Sequence, residues 1–294
     1  MKCFYHNDMD GRCAGSIVAQ YENNYNREDF FEVDYIMDLT PMLNLINNGE
    51  KVYFVDYSFK ENTKWVLEQL IDKNCDVIWI DHHTSSLNLI KEHDNLCSIK
   101  GLRQDKISGA ALTYMYLYNY EFNDIPYYIK LVSDYDCWIY NFDPYTTYFK
   151  IGLETTKYDA LDEIWKYINE NDYDCEFGQI PMSPTDKIID TGITIKGYID
   201  KDNEQYRNQY AYESNIGGYK ALVVNRKTNS WIFGEKYNEY PVVCVWAFNG
   251  ERYSYSIYSG DSNVDCSKIA ESYGGGGHKG AAGFSSDTLL FVKK

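Results

Sequence analysis

Residues 76–83 read DVIWIDHH, an apolar run that ends directly in Asp81, His82 and His83. The run VIWI has the length and the β-branched, aromatic content of a buried strand. Three side chains that can bind a metal therefore stand together at its carboxyl end. In an α/β sheet, ligands bind in the crevice beyond the carboxyl ends of the strands. This stretch predicts a parallel sheet with an active site at its edge.

Two other strand-like runs end in the same kind of residue. KCFY at residues 2–5 is followed by HNDMDG at residues 6–11, and VYFV at residues 52–55 is followed by an acid. The candidate metal ligands in these places are His6, Asp8, Asp10 and Asp56. Taken alone, HNDMDG is also typical of a turn before a helix, with Asp10 as the N-cap of a helix that starts near Cys13.

Strand-like and helix-like segments alternate through the first part of the chain, which indicates a parallel sheet flanked by helices. The predicted strands are 2–5, 30–36, 51–57 and 76–83, and the predicted helices include 14–23, 61–73, 111–120 and 127–138. After residue 218 the pattern becomes strand-rich, with strands at 220–226, 241–248 and 252–260 and an Asn249-Gly250 hairpin signal. We predict a catalytic domain over 1–185, a helical linker over 186–213 and a smaller α/β domain over 214–294.

Composition narrows the class of protein. A net charge of −16 repels long polyanions, so a duplex nucleic-acid binder held by phosphate contacts is disfavoured and a small phosphorylated substrate is easier to accommodate. No run approaches the roughly 18 apolar residues of a membrane span, and the first residues carry acids where a signal peptide needs an apolar stretch. We expect a cytoplasmic protein. The eight cysteines include no CxxC pair, which indicates reduced thiols, and none is assigned to a metal.

Further acids lie in VSDYD, where Asp134 and Asp136 end a predicted helix. With the strand-end residues they make a set of carboxylates and imidazoles without thiolate. This chemistry suits Mn²⁺, and Mg²⁺, Fe²⁺, Co²⁺ or Zn²⁺ remain open. A carboxylate bridging two ions roughly 3.5 to 4 Å apart would allow an activated hydroxide to attack phosphorus in line.

The segment GGGGHKGAAGF (274–284) is a different kind of site. Its glycines let backbone N–H groups approach an anion closely, and His278 and Lys279 add side-chain donors. The alternative interpretation is a flexible hairpin or linker. The motif favours phosphate or nucleotide binding.

In chain order, HNDMDG, the acid of FVDYS, IDHHTS, the acid of LVSDYD and GGGGHKGAAGF resemble the motifs of the DHH phosphoesterase superfamily with its DHH-associated C-terminal domain. The most similar members are the small oligoribonucleases (nanoRNases) and dinucleotide phosphodiesterases. The resemblance covers almost the whole chain. It implies an α/β fold with an N-terminal parallel-sheet DHH domain, a smaller C-terminal α/β domain and an active site in the cleft between them.

The resemblance also implies residue roles. One Mn²⁺ would be held by His6 and Asp8 and a second by Asp10 and His82, with the remaining roles taken as follows: Asp56 bridges the ions, Asp134 completes the pair, Asp81 supports His82, and His83 contacts the scissile phosphate. In the C-terminal domain, substrate would be bound by His278, presented by Gly275, Gly276 and Gly277.

One departure from the family pattern concerns phosphate binding. Many relatives carry a Ser-x-Arg-Ser pattern before the glycine motif, whereas this chain has Tyr258 in place of the arginine. Arg226 or Lys279 would substitute for it, or Tyr258 would stack on a base.

These observations predict a Mn²⁺-dependent phosphodiesterase that hydrolyses short single-stranded oligoribonucleotides, or linear or cyclic dinucleotides, to mononucleotides. A bisphosphonucleotide phosphatase or a pyrophosphatase would use the same metal residues and is the alternative. A non-catalytic nucleotide-binding module is the alternative from another class. We expect no duplex and no membrane partner, a homodimer is compatible with the sequence, and the choice between RNA and DNA is open.

Overall fold

The computed structural model of the chain describes residues 1–23, 25–172 and 182–292. Its contacts divide the chain into two compact units, the first over Met1–Ile195 and the second from Lys196 onward. The division falls within the segment 186–213, which we predict as a linker, and a helix at Pro184–Tyr210 covers most of that segment. The limits of the two domains stay a prediction.

The first unit is built on a sheet of four parallel strands: β1 (Lys2–His6), β2 (Phe30–Val33), β3 (Lys51–Val55) and β4 (Asp76–Ile80). Their order is β2-β1-β3-β4, which confirms the predicted parallel sheet. All but the first residue of β3 and of β4 are buried, as expected where both faces of a parallel sheet are covered. From β1 the chain adds β2 on one side and then β3 and β4 on the other, so the strand order reverses between β1 and β3. Such a switch point is where α/β sheets bind ligands.

Helices cover both faces of this sheet: α1 (Met9–Glu22), α2 (Thr40–Leu43), α3 (Trp65–Asp72), α4 (Thr84–Glu92), α5 (Gly109–Tyr118), α6 (Tyr127–Asp136), α7 (Tyr145–Leu153), α8 (Glu163–Asn171) and the start of α9 (Pro184–Tyr210). One hydrophobic core lies on the side of α1, α5 and α6 and contains the fully buried Trp165. The other contains Trp79, whose indole N–H donates to the backbone oxygen of Tyr57 at 3.0 Å. The sheet is thus fixed by packing on both faces, which holds its carboxyl edge in place.

The second unit has a mixed sheet of strands β5 (Tyr212–Ile216), β6 (Tyr219–Asn225), β7 (Val242–Phe248), β8 (Tyr253–Tyr258), β9 (Gly276–His278) and β10 (Ala281–Ser286). Their order is β5-β6-β7-β8-β10-β9, with β6 and β7 parallel and the other neighbours antiparallel. Helix α10 (Cys266–Glu271), capped by Asp265, packs against β9 and β10. The predicted second α/β unit is confirmed, although β5, β9 and β10 were not among the predicted strands.

Within the described residues, no helix combines the length and the apolar character needed to cross a membrane. The described cysteines are Cys3, Cys13, Cys75, Cys97, Cys137, Cys244 and Cys266, and each is a free thiol. Cys175 lies outside the described residues.

Candidate metal centre

The connection from β1 to α1 places the first two predicted ligands side by side. His6 is the last residue of β1, and its Nδ1 lies 2.7 Å from Oδ2 of Asp8. Asp8, not Asp10, is the N-cap of α1, and it accepts a hydrogen bond from the backbone N–H of Gly11 at 2.9 Å. The predicted cap at Asp10 is therefore wrong by two residues. A β-carbon on Gly11 would lie 2.2 Å from the backbone oxygen of His6, so only glycine allows this tight turn.

Asp10 points from the first turn of α1 toward the start of α5. It is 1% exposed and accepts hydrogen bonds from the backbone N–H groups of Gly109 (2.6 Å) and Ala110 (2.9 Å). Free N–H groups at a helix N-terminus stabilise a carboxylate. They hold Asp10 in a fixed orientation at the edge of the sheet.

Asp56 directly follows β3 and has a left-handed backbone conformation, with φ of +54°. Its side chain is 1% exposed, and its Oδ1 has no hydrogen-bond partner within the described structure. That atom lies 3.3 Å from Nε2 of His82, close enough for an ion pair but without hydrogen-bond alignment. A β-carbon on Gly109 would lie 2.5 Å from the β-carbon of Asp56, so α5 closes tightly over it. A buried carboxylate with an open oxygen is costly unless a cation binds it.

His82 joins the three carboxylates. Its Nε2 lies 3.3 Å from Asp56, 3.2 Å from Oδ2 of Asp136 and 4.0 Å from Oδ2 of Asp10. Its other nitrogen, Nδ1, lies 4.0 Å from the thiol sulfur of Cys137. Burial alone would lower the pKa of His82, but the contact with Cys137 and the charges of Asp10 and Asp136 raise that pKa to about 9.

The acid that α6 brings to this cluster is Asp136, and the predicted role of Asp134 needs correction. The Asp134 carboxylate accepts hydrogen bonds from the backbone N–H groups of Asn141 (2.8 Å) and Phe142 (3.1 Å) and from the hydroxyl of Thr146. It is therefore committed to the loop after α6. Asp136 contacts His82 instead. The two acids are two residues apart on one helix and so project in different directions.

Asp81 and His83 form a second pair beside this cluster. Asp81 is fully buried and accepts from Nδ1 of His83 at 2.8 Å and from the hydroxyl of Ser86. The predicted support of His82 by Asp81 is thus replaced by support of His83. The Nε2 of His83 lies 3.4 Å from the hydroxyl of Tyr35, whose ring packs on His6 at a centroid distance of 4.8 Å.

The electrostatics of the cluster fit a cation. Burial, followed by repulsion from Asp10 and Asp8, raises the pKa of Asp56 well above its ordinary value. The same two causes, burial first and then Asp10, raise the pKa of Asp136 to about 7. Burial likewise raises the pKa of Asp10. A divalent ion would relieve this repulsion, and carboxylate and imidazole donors suit Mn²⁺ and related ions.

Donor atoms lie close enough together to share ions. One donor atom each from His6, Asp8 and Asp56 lie within 4.8 Å of one another, and so do those of His82, Asp136 and Cys137. Asp56 belongs to the first group, and its Oδ1 lies 3.3 Å from Nε2 of His82 in the second. The residues at the ends of β1, β3 and β4 therefore meet, as the strand-end pattern predicts.

Residues 3–135 match the model of the DHH family, N-terminal domain. These residues are a DHH-family N-terminal domain. The sheet, its switch point and the strand-end ligands all lie within this DHH domain, while Asp136 follows its last matched residue.

Two known proteins show similarity in sequence. The chain is 28% identical over 252 residues to the uncharacterized protein R106 of Acanthamoeba polyphaga mimivirus, which covers 81% of this chain and 53% of that protein. It is 22% identical over 309 aligned positions to oligoribonuclease NrnB of Bacillus subtilis (strain 168), covering 96% of this chain and 72% of that protein. The chain thus spans about half the length of the mimivirus relative.

Among solved structures, the pGpG-specific phosphodiesterase PggH from Vibrio cholerae matches with a TM-score of 0.50 at 10% identity. The match covers 98% of this chain and 94% of that structure. At this identity the likeness concerns the fold, and it extends beyond the DHH domain to the second unit.

In the second unit, the glycine motif forms the β9–β10 hairpin. Gly275 and Gly277 pack closely on β10, because a β-carbon at either position would lie within 2.5 Å of an atom of that strand. Gly276 faces open space, and His278 and Lys279 are exposed. The side chains that would bind an anion are therefore accessible on a hairpin that close packing holds in place.

The two replacements for the missing arginine have different surroundings. Arg226 donates to Asp202 at 2.6 Å, and its guanidinium lies 4.8 Å from the ring centroid of Tyr206. Tyr258 is the last residue of β8. It pairs with Val243 of β7 and is partly buried against the hydrophobic cluster that contains Val243. Arg226 would have to leave an existing ion pair to bind phosphate, whereas Lys279 would not need to give up such a pair among the described contacts.

Three residues of the first unit were absent from the predicted site: Asp136 in its ligand role, Cys137 and Tyr35. Asp136 was visible in VSDYD, but the pattern does not say which of its two acids faces the sheet. Cys137 carries no spacing signal, and Tyr35 lies in a loop outside every motif. The one sequence signal for Asp136 and Cys137 is DYDC (134–137), where an acid and a thiol follow one another at a helix end.

Proposed function

We propose that the chain is a metal-dependent phosphodiesterase that hydrolyses short single-stranded oligoribonucleotides or dinucleotides to mononucleotides. The observation that carries this proposal is the buried Asp56, whose free oxygen lies among His82, Asp10 and Asp136 at the switch point of the sheet. Cations would stabilise these buried carboxylates, and cations at the edge of a sheet would also bind the negative charge of a phosphate substrate.

The proposed ligands form two sets. His6 and Asp8 would hold one ion, Asp10 and His82 would hold the second, and Asp56 would contribute to both. Asp136 takes the place first assigned to Asp134. We propose Mn²⁺ as the metal from the donor chemistry, which Mg²⁺, Co²⁺, Fe²⁺ and Zn²⁺ would also satisfy to differing degrees. When bound, such ions would supply an activated water and neutralise negative charge on the phosphate.

The chain's own residues orient the substrate. Asp81, fixed by Ser86, holds the ring of His83 so that Nε2 remains available to a phosphate oxygen. The N-terminus of α5 fixes Asp10, which keeps one carboxylate in place without a counter-charge from a side chain. These contacts set the geometry before substrate arrives, which is the main contribution of a protein to phosphoryl chemistry.

The substrate class is inferred from two relatives and from charge. NrnB is named an oligoribonuclease and PggH a pGpG-specific phosphodiesterase, and both names denote enzymes of short nucleotide chains. A net charge of −16 disfavours long polyanions. We propose that further phosphate or base contacts come from the second unit, through these residues: Gly275, Gly276, Gly277, His278, Lys279, Arg226 and Tyr258.

The test is a product profile with di- to pentanucleotides, with and without Mn²⁺. We expect mononucleotides with the metal and none in excess EDTA. Asp56→Asn and His82→Ala should each lose at least about 100-fold in turnover, since even the loss of a residue that only supports a ligand costs 10- to 100-fold. Release of phosphate from a bisphosphonucleotide, with no product from any oligonucleotide, would overturn the proposal, and so would undiminished turnover in both variants.

A further inference from the structure

The loop after α6 is organised by one buried acid. Asp134 is 4% exposed, and its carboxylate accepts from Asn141, Phe142 and Thr146. Its backbone oxygen also accepts from the N–H groups of Ile139 (3.1 Å) and Tyr140 (3.4 Å). Burying a carboxylate is unfavourable unless hydrogen bonds compensate it. Here each of these bonds fixes the path of the chain from residue 139 to residue 146.

This loop presents Trp138 to solvent. The side chain of Trp138 is 80% exposed, compared with 42% for Trp65 on α3. The backbone of Trp138 is left-handed, with φ of +56°, a conformation that bulky residues seldom adopt. Strained backbone of this kind persists only where the surroundings impose it, and it clusters at binding sites. The bonds to Asp134 supply that constraint.

The position of Trp138 connects it to the metal centre. It follows Asp136, 3.2 Å from Nε2 of His82, and Cys137, 4.0 Å from Nδ1 of the same ring. Two residues of chain span at most about 7 Å. Trp138 therefore stands within roughly one nucleotide of the ions that the proposed function requires. Its neighbours Ile139 and Tyr140 are also exposed, so the loop offers an apolar surface at this edge.

We propose that Trp138 is a stacking platform for a nucleobase of the nucleotide whose phosphate lies at the metal centre. This inference rests on the proposed function and extends it to the base. Stacking needs no positive charge and accepts any base, because every base has a flat π face. It therefore suits a chain of net charge −16, in which phosphate contacts alone are weak. A protein partner is less favoured, because it would cover the approach to Asp136.

The experiment compares three substrates in four proteins. The substrates are the linear dinucleotide pApA and an analogue in which one adenine is replaced by hydrogen, prepared in both positional forms. The proteins are the parent, Trp138→Ala, Trp138→Phe and the exposed control Trp65→Ala. Since Trp138 is exposed, its removal should leave the melting temperature unchanged.

We expect Trp138→Ala to lower kcat/KM for pApA by about 5- to 100-fold, mainly through KM, which is the range that loss of one base stack gives. One of the two abasic analogues should be cleaved equally by the parent and by Trp138→Ala. Trp138→Phe should retain most of the activity on pApA, and Trp65→Ala should behave as the parent does. Equal effects of Trp138→Ala on pApA and on both analogues would overturn the stacking role while leaving the phosphodiesterase intact.

Two other outcomes would also decide the matter. If the parent cleaves neither pApA nor any oligonucleotide of three to five residues, the proposed function fails and the stacking role with it. If Trp138→Ala cleaves pApA as the parent does but changes the sedimentation from dimer to monomer, the loop is a protein interface and the stacking role is wrong.

Discussion

Nε2 of His82 lies 3.2 Å from Oδ2 of Asp136, although the chain separates the two residues by the whole of α4, α5 and α6. Asp134, by contrast, is hydrogen-bonded within its own loop. Replacing each of the two acids should therefore affect metal binding differently. Asp136→Asn should weaken Mn²⁺ binding by at least about tenfold, as removal of groups around a metal does. Asp134→Asn should leave Mn²⁺ affinity within about twofold.

Isothermal titration of the purified variants with Mn²⁺ measures both affinities. Asp134→Asn should instead lower the melting temperature, because an amide cannot accept all three hydrogen bonds of the carboxylate. A loss of metal affinity in Asp134→Asn as large as that in Asp136→Asn, at temperatures where both are folded, would restore Asp134 as a ligand.

The pair Asp134 and Asp136 also marks the limit of what the sequence predicts. Both acids end a predicted helix, and at 3.6 residues per turn two positions differ by roughly 200° around the axis. Which one faces the sheet depends on how α6 rotates when it packs on α1 and α5, and this is set by the whole core. The strand-end residues carry no such ambiguity, since parallel strands end at one edge whatever the helices do.

The same reasoning explains the other differences. Asp8 and Asp10 are both residue types that cap helices, and Asp8 is the N-cap of α1. Asp10 instead accepts from the N-terminus of α5, which lies about a hundred residues later in the chain. In the second unit, β10 inserts between β8 and β9. The local pattern predicts β8 but not this order, because the order depends on contacts between distant segments.

The metal-free protein should become less stable as pH rises. Asp136 has a pKa of about 7 in the folded chain, whereas an unfolded Asp titrates near 3.9. The folded state thus binds more protons between these values, and stability falls as pH rises through that interval. His82, raised from 6.5 to about 9, contributes stability that is complete below its unfolded pKa and is lost as pH rises through about 9. Both groups act in the same direction.

Calorimetry in EDTA checks this dependence. We expect a melting temperature at least about 3 °C higher near pH 5.5 than near pH 8, since 1 kcal/mol corresponds to about 2 to 4 °C in a chain of this size class. The difference should shrink in Asp136→Asn and in the presence of saturating Mn²⁺. An equal or higher melting temperature near pH 8 in EDTA would contradict the repulsion among these carboxylates.

Gly109 should tolerate no side chain. A β-carbon there would meet the β-carbon of Asp56 at 2.5 Å and its α-carbon at 2.9 Å. Gly109→Ala should therefore displace Asp56 and weaken Mn²⁺ binding by at least about tenfold. The control is Gly197→Ala in the interior of α9, where nothing lies within 4 Å of the new β-carbon. The control should keep its activity and gain up to about 1 kcal/mol of stability from helix propensity.

Thermal melts and Mn²⁺ titration of the two glycine variants give the comparison. Because both substitutions add one methyl group to a helical glycine, any general effect of alanine appears in both. Normal metal affinity in Gly109→Ala would mean that α5 can move away from Asp56, and the closely packed centre would then be wrong.

Tyr35 should assist His83 through its hydroxyl. Asp81 holds Nδ1 of His83 at 2.8 Å, and the Tyr35 hydroxyl lies 3.4 Å from the other ring nitrogen, Nε2. Tyr35→Phe removes this contact but keeps the ring packing on His6 at 4.8 Å. We expect kcat on pApA to fall by less than about tenfold, the value of one hydrogen bond, while Mn²⁺ affinity and the melting temperature stay unchanged.

Asp81→Asn is the companion variant, because it removes the carboxylate that orients the same ring. It should lower kcat by about 10- to 100-fold, as loss of a supporting carboxylate does. Steady-state kinetics with both variants at saturating Mn²⁺ rank the two contacts. If Tyr35→Phe lost as much activity as Asp81→Asn, the phenol would hold His83 as firmly as the carboxylate does. An unchanged kcat in Tyr35→Phe would show instead that the hydroxyl leaves His83 before substrate reacts.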